Sequence, residues 1–197
     1  MRILLFLLLL CQVLKYNSGM ICKIVQSGDK KLREISKPVR SFDRKILSLI
    51  QDLSDTLEIQ TDPEGVGLAA PQIGINLRAF AVSYKNLKRI VINPEILEIK
   101  DTPHPTKTSR GKKNEILEGC LSLPNYYGPL KRDPYVKIKY QNEKGEEIVE
   151  EFKDFNAQII LHEIDHLNGI MFVDRLLEQK EKLYRLDKDD EWEEVEI

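Results

Sequence analysis

The chain has 197 residues, enough for one well-cored domain and a short tail but too few for two ordinary domains. With 42% hydrophobic and 31% charged residues and a formal net charge of −2, its composition is that of an ordinary soluble protein. Its lysines and arginines are spread among acids, so no direct nucleic-acid binding through a basic face is expected. Three cysteines, Cys11, Cys22 and Cys120, make no disulfide framework and suit a reducing compartment or a cysteine used for chemistry.

Residues 1–19 contain a leucine-rich run that is too short to span a bilayer, which takes about 20 residues, so no stable membrane insertion is expected. The run reads either as the apolar part of a targeting signal or as an over-extended start ahead of Met20. The fold is therefore expected over 20–177 as a single catalytic domain, with a charged helix and tail over 178–197. Residues 21–25 read as a short strand or extended arm, and 29–38 as turn-rich. Ile46, Leu49, Ile50, Leu53 and Leu57 recur at three- and four-residue intervals, which predicts an amphipathic helix capped by Ser41 or Asp43. The stretch from Gly65 to Gly74, rich in Gly, Ala and Pro, predicts a backbone that approaches something closely. Strands are expected at 77–84, 89–93 and 95–99, with Pro94 as an interruption. The polar segment 100–116 reads as a surface loop, and His104 within it as a bystander. Residues 135–140 and 146–152 predict a hairpin turning at 142–145. Asp154 is placed to cap a second helix whose apolar face is Phe155, Ile159, Ile160, Ile164 and Leu167, and Gly169 to stop it. The last residues, 187–196, are an acidic run expected to fray.

On that second helix sits His162-Glu163-Ile164-Asp165-His166, which uses two of only three histidines in the chain. Four-residue spacing stacks the imidazoles about 6 Å apart along one helix face, where both can reach one metal ion. Glu163 then stands beside the ion as a proton carrier for a water activated there. The motif lacks a third ligand. Cys120, in Glu118-Gly119-Cys120-Leu121-Ser122, is either a small buried apolar residue or that ligand.

Taken together and in order, three segments resemble the motifs of the peptide deformylase family: Gly65-Val66-Gly67-Leu68-Ala69-Ala70-Pro71-Gln72, Glu118-Gly119-Cys120-Leu121-Ser122 and His162-Glu163-Ile164-Asp165-His166. The resemblance runs from about Cys22 to Arg175. It implies an α+β fold, with antiparallel β-strands packed around a central helix carrying the metal motif. It implies a metal-dependent hydrolase that removes the N-formyl group from the initiator methionine of newly synthesised proteins and releases formate. Cys120, His162 and His166 would be the metal ligands, Glu163 the general base and acid, and the Gln72 amide and Leu121 N–H the donors to the formyl oxygen. Backbone at Val66, Gly67 and Gly119 would pair with the substrate, and Phe155 and Gln158 would face the methionine pocket. One divalent ion is expected, Fe(II) by family habit, in a site that also suits Zn(II). The partners implied are nascent formyl-Met polypeptides at the ribosome. Location would be cytoplasmic if translation starts near Met20, and an organelle if 1–19 is a signal. Tyr127 departs from the family pattern, which has arginine there, and Gln158 is more polar than a methionine pocket calls for. Two other classes fit the helix motif alone. A zinc peptidase of the longer His-Glu-x-x-His-x-x-Gly-x-x-His pattern would need a ligand where Phe172 stands. A non-catalytic metal-stabilised module would have no use for Glu163.

Overall fold

A computed structural model describes residues 19–62, 64–100 and 117–196. The readings of residues 1–18 and Cys11, and of the loop 101–116 with His104, lie outside the described residues. The fold is α+β. Strands β1 (Gly67–Ala69), β2 (Ala79–Tyr84), β3 (Leu87–Ile99), β6 (Tyr135–Gln141) and β7 (Glu147–Lys153) form an antiparallel sheet in the order β1-β2-β3-β6-β7. A second sheet joins β4 (Glu118–Cys120), β5 (Leu123–Gly128), β8 (Leu183–Leu186) and β9 (Trp192–Val195) in chain order. Among the described residues three α-helices complete it: α1 (Arg44–Glu58), α2 (Asp154–Leu167) and α3 (Phe172–Gln179).

Helix α1 forms where its leucine spacing predicts. Asp43 is the cap, accepting from the backbone N–H of Lys45 and Ile46. Ile46, Leu49, Leu53 and Leu57 are buried with Leu68, Ala79, Ala81 and Ile92. Burying each such side chain is worth about 1.5–3 kcal/mol, far more than the helix's intrinsic propensity. Against α2 packs a second cluster from alternating positions of the strands, including Phe80, Val82, Val136, Ile138, Tyr140 and Phe152. Every residue of α2 from Ile159 to Leu167 is buried, so this helix runs through the interior. Its polar residues must therefore find partners inside the protein.

Several sequence expectations need correction. Pro94 does not end a strand: β3 runs from Leu87 to Ile99, with its register to β6 shifting between Ile92 and Glu95. Asn93 takes φ 51° there, and its amide bonds Val39 N, Val39 O and Gln141 Oε1 at 2.8 Å each. A bulge tied down in this way accommodates a proline that a regular ladder would reject. Asp154 is the first residue of α2 and not its cap; Lys153 holds the cap position. Gly169 does lie just past the helix end, at φ 73°, with an added Cβ falling 2.5 Å from Arg33 O. Helix α3 opens at Phe172 and ends at Gln179. Beyond it the charged residues form no helix or frayed tail but the β8–β9 hairpin, paired through β8 to β5. Among the described residues no helix is long and apolar enough to cross a membrane.

Candidate metal centre and active site

Cys120 at the end of β4 meets the two histidines of α2. Its Sγ lies 3.2 Å from His166 Nε2, which lies 3.2 Å from His162 Nε2. The three ligand atoms all fall within 4.8 Å of one another. Glu118 Oε1 is 2.7 Å from His162 Nδ1. The Glu118 carboxylate thus holds the ring proton at Nδ1 and leaves the Nε2 lone pair facing the cluster. A sulfur and imidazole lone pairs crowded together repel unless a cation lies among them. The donor set, one thiolate and two imidazoles, fits a divalent metal ion and leaves a position open.

Gln72 is set by its local turn. Residues 70–73 make a short 3₁₀ turn after β1, and Gln72 Oε1 accepts from Ala69 N at 2.8 Å. That bond fixes the amide so that Nε2 points to the centre, donating to Ser122 Oγ at 3.2 Å and contacting Cys120 Sγ at 3.5 Å. Glu163 is buried beside the cluster, and its Oε2 has no hydrogen-bond partner among the described residues. Burial pushes its carboxyl up to about 7.

A buried ionic network backs the ligands. Arg132 donates to both oxygens of Glu118, at 2.8 and 2.6 Å, and to Asp165 Oδ2 at 2.7 Å. Arg175 grips Asp165 from the other side, at 2.7 and 3.2 Å. Burial would raise the Glu118 carboxyl, but Arg132 and His162 outweigh it and hold the group well below the ordinary carboxylate range. Burial likewise opposes charge on His162, yet Glu118 and Cys120 together raise it well above its ordinary value. The negative potential responsible for that shift would equally hold a metal cation at Nε2. His166 is lowered by burial, then by His162 and Arg132, which favours the neutral imidazole a metal needs.

A cavity of about 310 Å³ opens at the centre, lined among others by Val66, Gly67, Gly119, Leu121, Phe155, Gln158 and Glu163. Strands β1 and β4 are each the outer strand of their sheet, so each has one free edge, and residues of both line this cavity. Tyr84 and Phe155 meet edge-on in its wall, ring centroids 4.8 Å apart. Gly67 leaves no room for a side chain: a Cβ there would fall 2.2 Å from Glu163 Oε1. Gly67→Ala is expected to push the carboxylate aside and cut kcat about a hundredfold, since a misplacement near 1 Å costs that much. Metal content should be retained; an unchanged kcat would show that Glu163 relocates freely.

Among the described residues, Val66, Gly67, Gln72, Gly119, Cys120, Leu121, Phe155, Gln158, His162, Glu163 and His166 all lie at this one site. What the sequence reading did not single out is the support: Glu118 as the partner of His162, with Arg132, Asp165 and Arg175 behind it. Glu118 and Asp165 sit within the quoted segments and Arg175 at the end of the resemblance, so all three were open to notice. Arg132 has no local pattern to flag it. The polarity of Gln158 also has its explanation here, since Nε2 donates to Glu118 Oε2 at 3.0 Å.

A structural metal knot needs four ligands and no proton carrier; among the described residues this cluster offers three candidate ligands and a carboxylate oxygen without a partner. Fold and site together define an α+β metal-dependent hydrolase. Residues 21–182 match the family described as Polypeptide deformylase, and the chain belongs to the peptide deformylase family. It is similar to Peptide deformylase 1 of Clostridium acetobutylicum, 44% identical over 160 residues, covering 81% of this chain and 97% of that one. It resembles the crystal structure of the Thermotoga maritima peptide deformylase at 38% identity and TM-score 0.69, covering 80% of this chain and 98% of that one. A Met-Ala-Ser-bound crystal structure of the Acinetobacter baumannii class I type b enzyme is similar at 30% identity and TM-score 0.67, covering 80% and 99%. The activity is removal of the N-formyl group from nascent formyl-Met polypeptides, and the family is metal-dependent. The peptidase and non-catalytic readings fall with this assignment.

Proposed function

We propose that Cys120, His162 and His166 hold the catalytic ion, that Glu163 moves the proton, and that Gln72 and Leu121 stabilise the formyl oxygen. The observation that carries this is the convergence of Cys120 Sγ and His162 Nε2 on His166 Nε2, each 3.2 Å from it, beside Glu163, whose Oε2 has no partner among the described residues. We assign Fe(II) as the ion, in a donor set that also accommodates Zn(II). When bound, a divalent cation there supplies Lewis acidity toward the formyl oxygen and the attacking water.

The substrate lies extended between the free edges of β1 and β4, its backbone paired with Val66, Gly67 and Gly119. Its methionine side chain enters the pocket against Tyr84, Phe155 and Ile159. Glu163 takes a proton from water as the oxygen attacks the formyl carbon. Gln72 Nε2 and the Leu121 N–H donate to the oxygen on which negative charge collects. Glu163 returns the proton to the departing amine, so the C–N bond breaks to formate and a free N-terminus. That the similar Acinetobacter baumannii enzyme binds Met-Ala-Ser supports a short peptide as the ligand. We place the enzyme where chains leave the ribosome, in the cytoplasm if translation begins near Met20 and in an organelle if 1–19 is a signal. The catalytic domain is assigned to 20–177, with the hairpin that follows packed onto it.

Metal analysis of protein purified without oxygen tests the ligand assignment. About one iron per chain is expected in the wild type and close to none in Cys120→Ala, together with loss of formate release from formyl-Met-Ala-Ser. Full metal retention by Cys120→Ala would overturn the assignment.

A further inference from the structure

The family match ends at residue 182, and β8 and β9 follow it. The hairpin is nevertheless built firmly onto the body. Leu183 is buried and Val195 packs with it against the cluster that contains Met171, Phe172 and Cys120. Ion pairs Lys182–Glu194 and Arg185–Glu193 span its strands. Strand β8 pairs with β5 at Tyr126↔Arg185 and Tyr127↔Tyr184, which brings β9 within reach of the active-site rim.

At that rim Trp192 meets Tyr127 edge-on, with ring centroids 5.5 Å apart and planes at 73°. Tyr127 lines the active-site cavity and stands opposite Gly119 in the β4–β5 register. Its ring covers that glycine so closely that an added Cβ would come within 2.6 Å. A peptide paired along Gly119, with its first side chain against Phe155 and Ile159, therefore continues past Tyr127. Trp192 is the only tryptophan in the chain and is 51% exposed. Because Glu193 and Glu194 are each ion-paired, the indole is the feature β9 presents at the rim. A large, rigid, half-exposed aromatic packed on a residue that lines the cavity offers a recognition surface beside it.

We propose that Trp192 and Tyr127 form an aromatic shelf that takes an apolar side chain one or two residues downstream of the formyl-methionine, making the C-terminal hairpin a specificity element. This rests on the substrate path proposed above. The test is kcat and KM for formyl-Met-Ala-Ser, formyl-Met-Phe-Ser and formyl-Met-Ala-Phe with wild type, Trp192→Ala and Trp192→Phe. The wild type is expected to favour one phenylalanine peptide about three- to tenfold in kcat/KM, the worth of one aromatic contact, carried by KM. Trp192→Ala should bring that ratio near one, while Trp192→Phe keeps most of it and shows that the hairpin itself is intact. No preference in the wild type, or an equal preference in Trp192→Ala, overturns the proposal alone. Failure of the metal-loaded wild type to hydrolyse even formyl-Met-Ala would overturn the substrate path and the shelf together. A second readout needs no turnover: the single tryptophan's emission should change saturably when Met-Ala-Phe is titrated into wild type. Unchanged emission at concentrations that inhibit the enzyme would overturn the proposal.

Discussion

Glu163→Gln is expected to lower kcat for formyl-Met-Ala-Ser by about 10²–10⁴-fold, the usual contribution of a positioned general acid–base group. The substitution keeps the shape of the side chain and removes its ability to accept and return a proton. Glu163 is outside the trio of converging donor atoms, so bound metal should stay near one per chain. Substrate contacts are left in place, so KM should move far less than kcat. Because Oε2 is buried without a partner among the described residues, the neutral amide should leave the melting temperature at or above that of wild type. Formate release, metal content and thermal melting measured on one preparation check all three. A kcat within tenfold of wild type would remove Glu163 from the proton pathway.

Arg132→Met is expected to destabilise the protein by about 3–5 kcal/mol, because it leaves buried carboxylates without their shared counter-ion. The Arg132, Glu118 and Asp165 side chains are each only 5–8% exposed, so solvent screens little of this loss. For a domain of this size the melting temperature should fall by roughly 6–20 °C. Arg132→Lys should rescue little, since one ammonium cannot grip Glu118 by both oxygens and reach Asp165 as well. Arg175→Met provides the contrast: its side chain is 34% exposed, Asp165 keeps Arg132, and the expected loss is about 1 kcal/mol or less. Equal melting temperatures for the two methionine variants would show that Arg132 does not carry the network.

The difference in scale between these residues tracks what a sequence can disclose. Helix α1 was legible because its core face repeats at helical spacing, and the β6–β7 hairpin because a turn sequence separates two strand-like runs. The trio Cys120, His162 and His166 was legible through motif order, since the 41 residues between Cys120 and His162 give no local cue to their contact. Arg132 was not legible: its carboxylate partners lie 14 and 33 residues away, and only the folded chain brings them together. The C-terminal hairpin was misjudged for a related reason. Its acids look like a solvated tail until Glu193 and Glu194 are set against Arg185 and Lys182, and cross-strand pairing is invisible without register. Pro94 misled because the Asn93 amide, which stabilises the bulge, bonds Val39 from 54 positions away.

Strands β1 and β4 are each only three residues long. An open strand edge invites other chains to add on, and shortness is one way a protein limits that hazard. On the proposed substrate path the same shortness sets a ceiling on grip. With each backbone hydrogen bond contributing about 0.5–1.5 kcal/mol, so short a ladder yields a few kcal/mol however long the growing polypeptide becomes. Affinity would then saturate within the first few residues, and the enzyme would release a long chain as readily as a short one. Such an enzyme can serve a whole proteome without becoming trapped on any member of it.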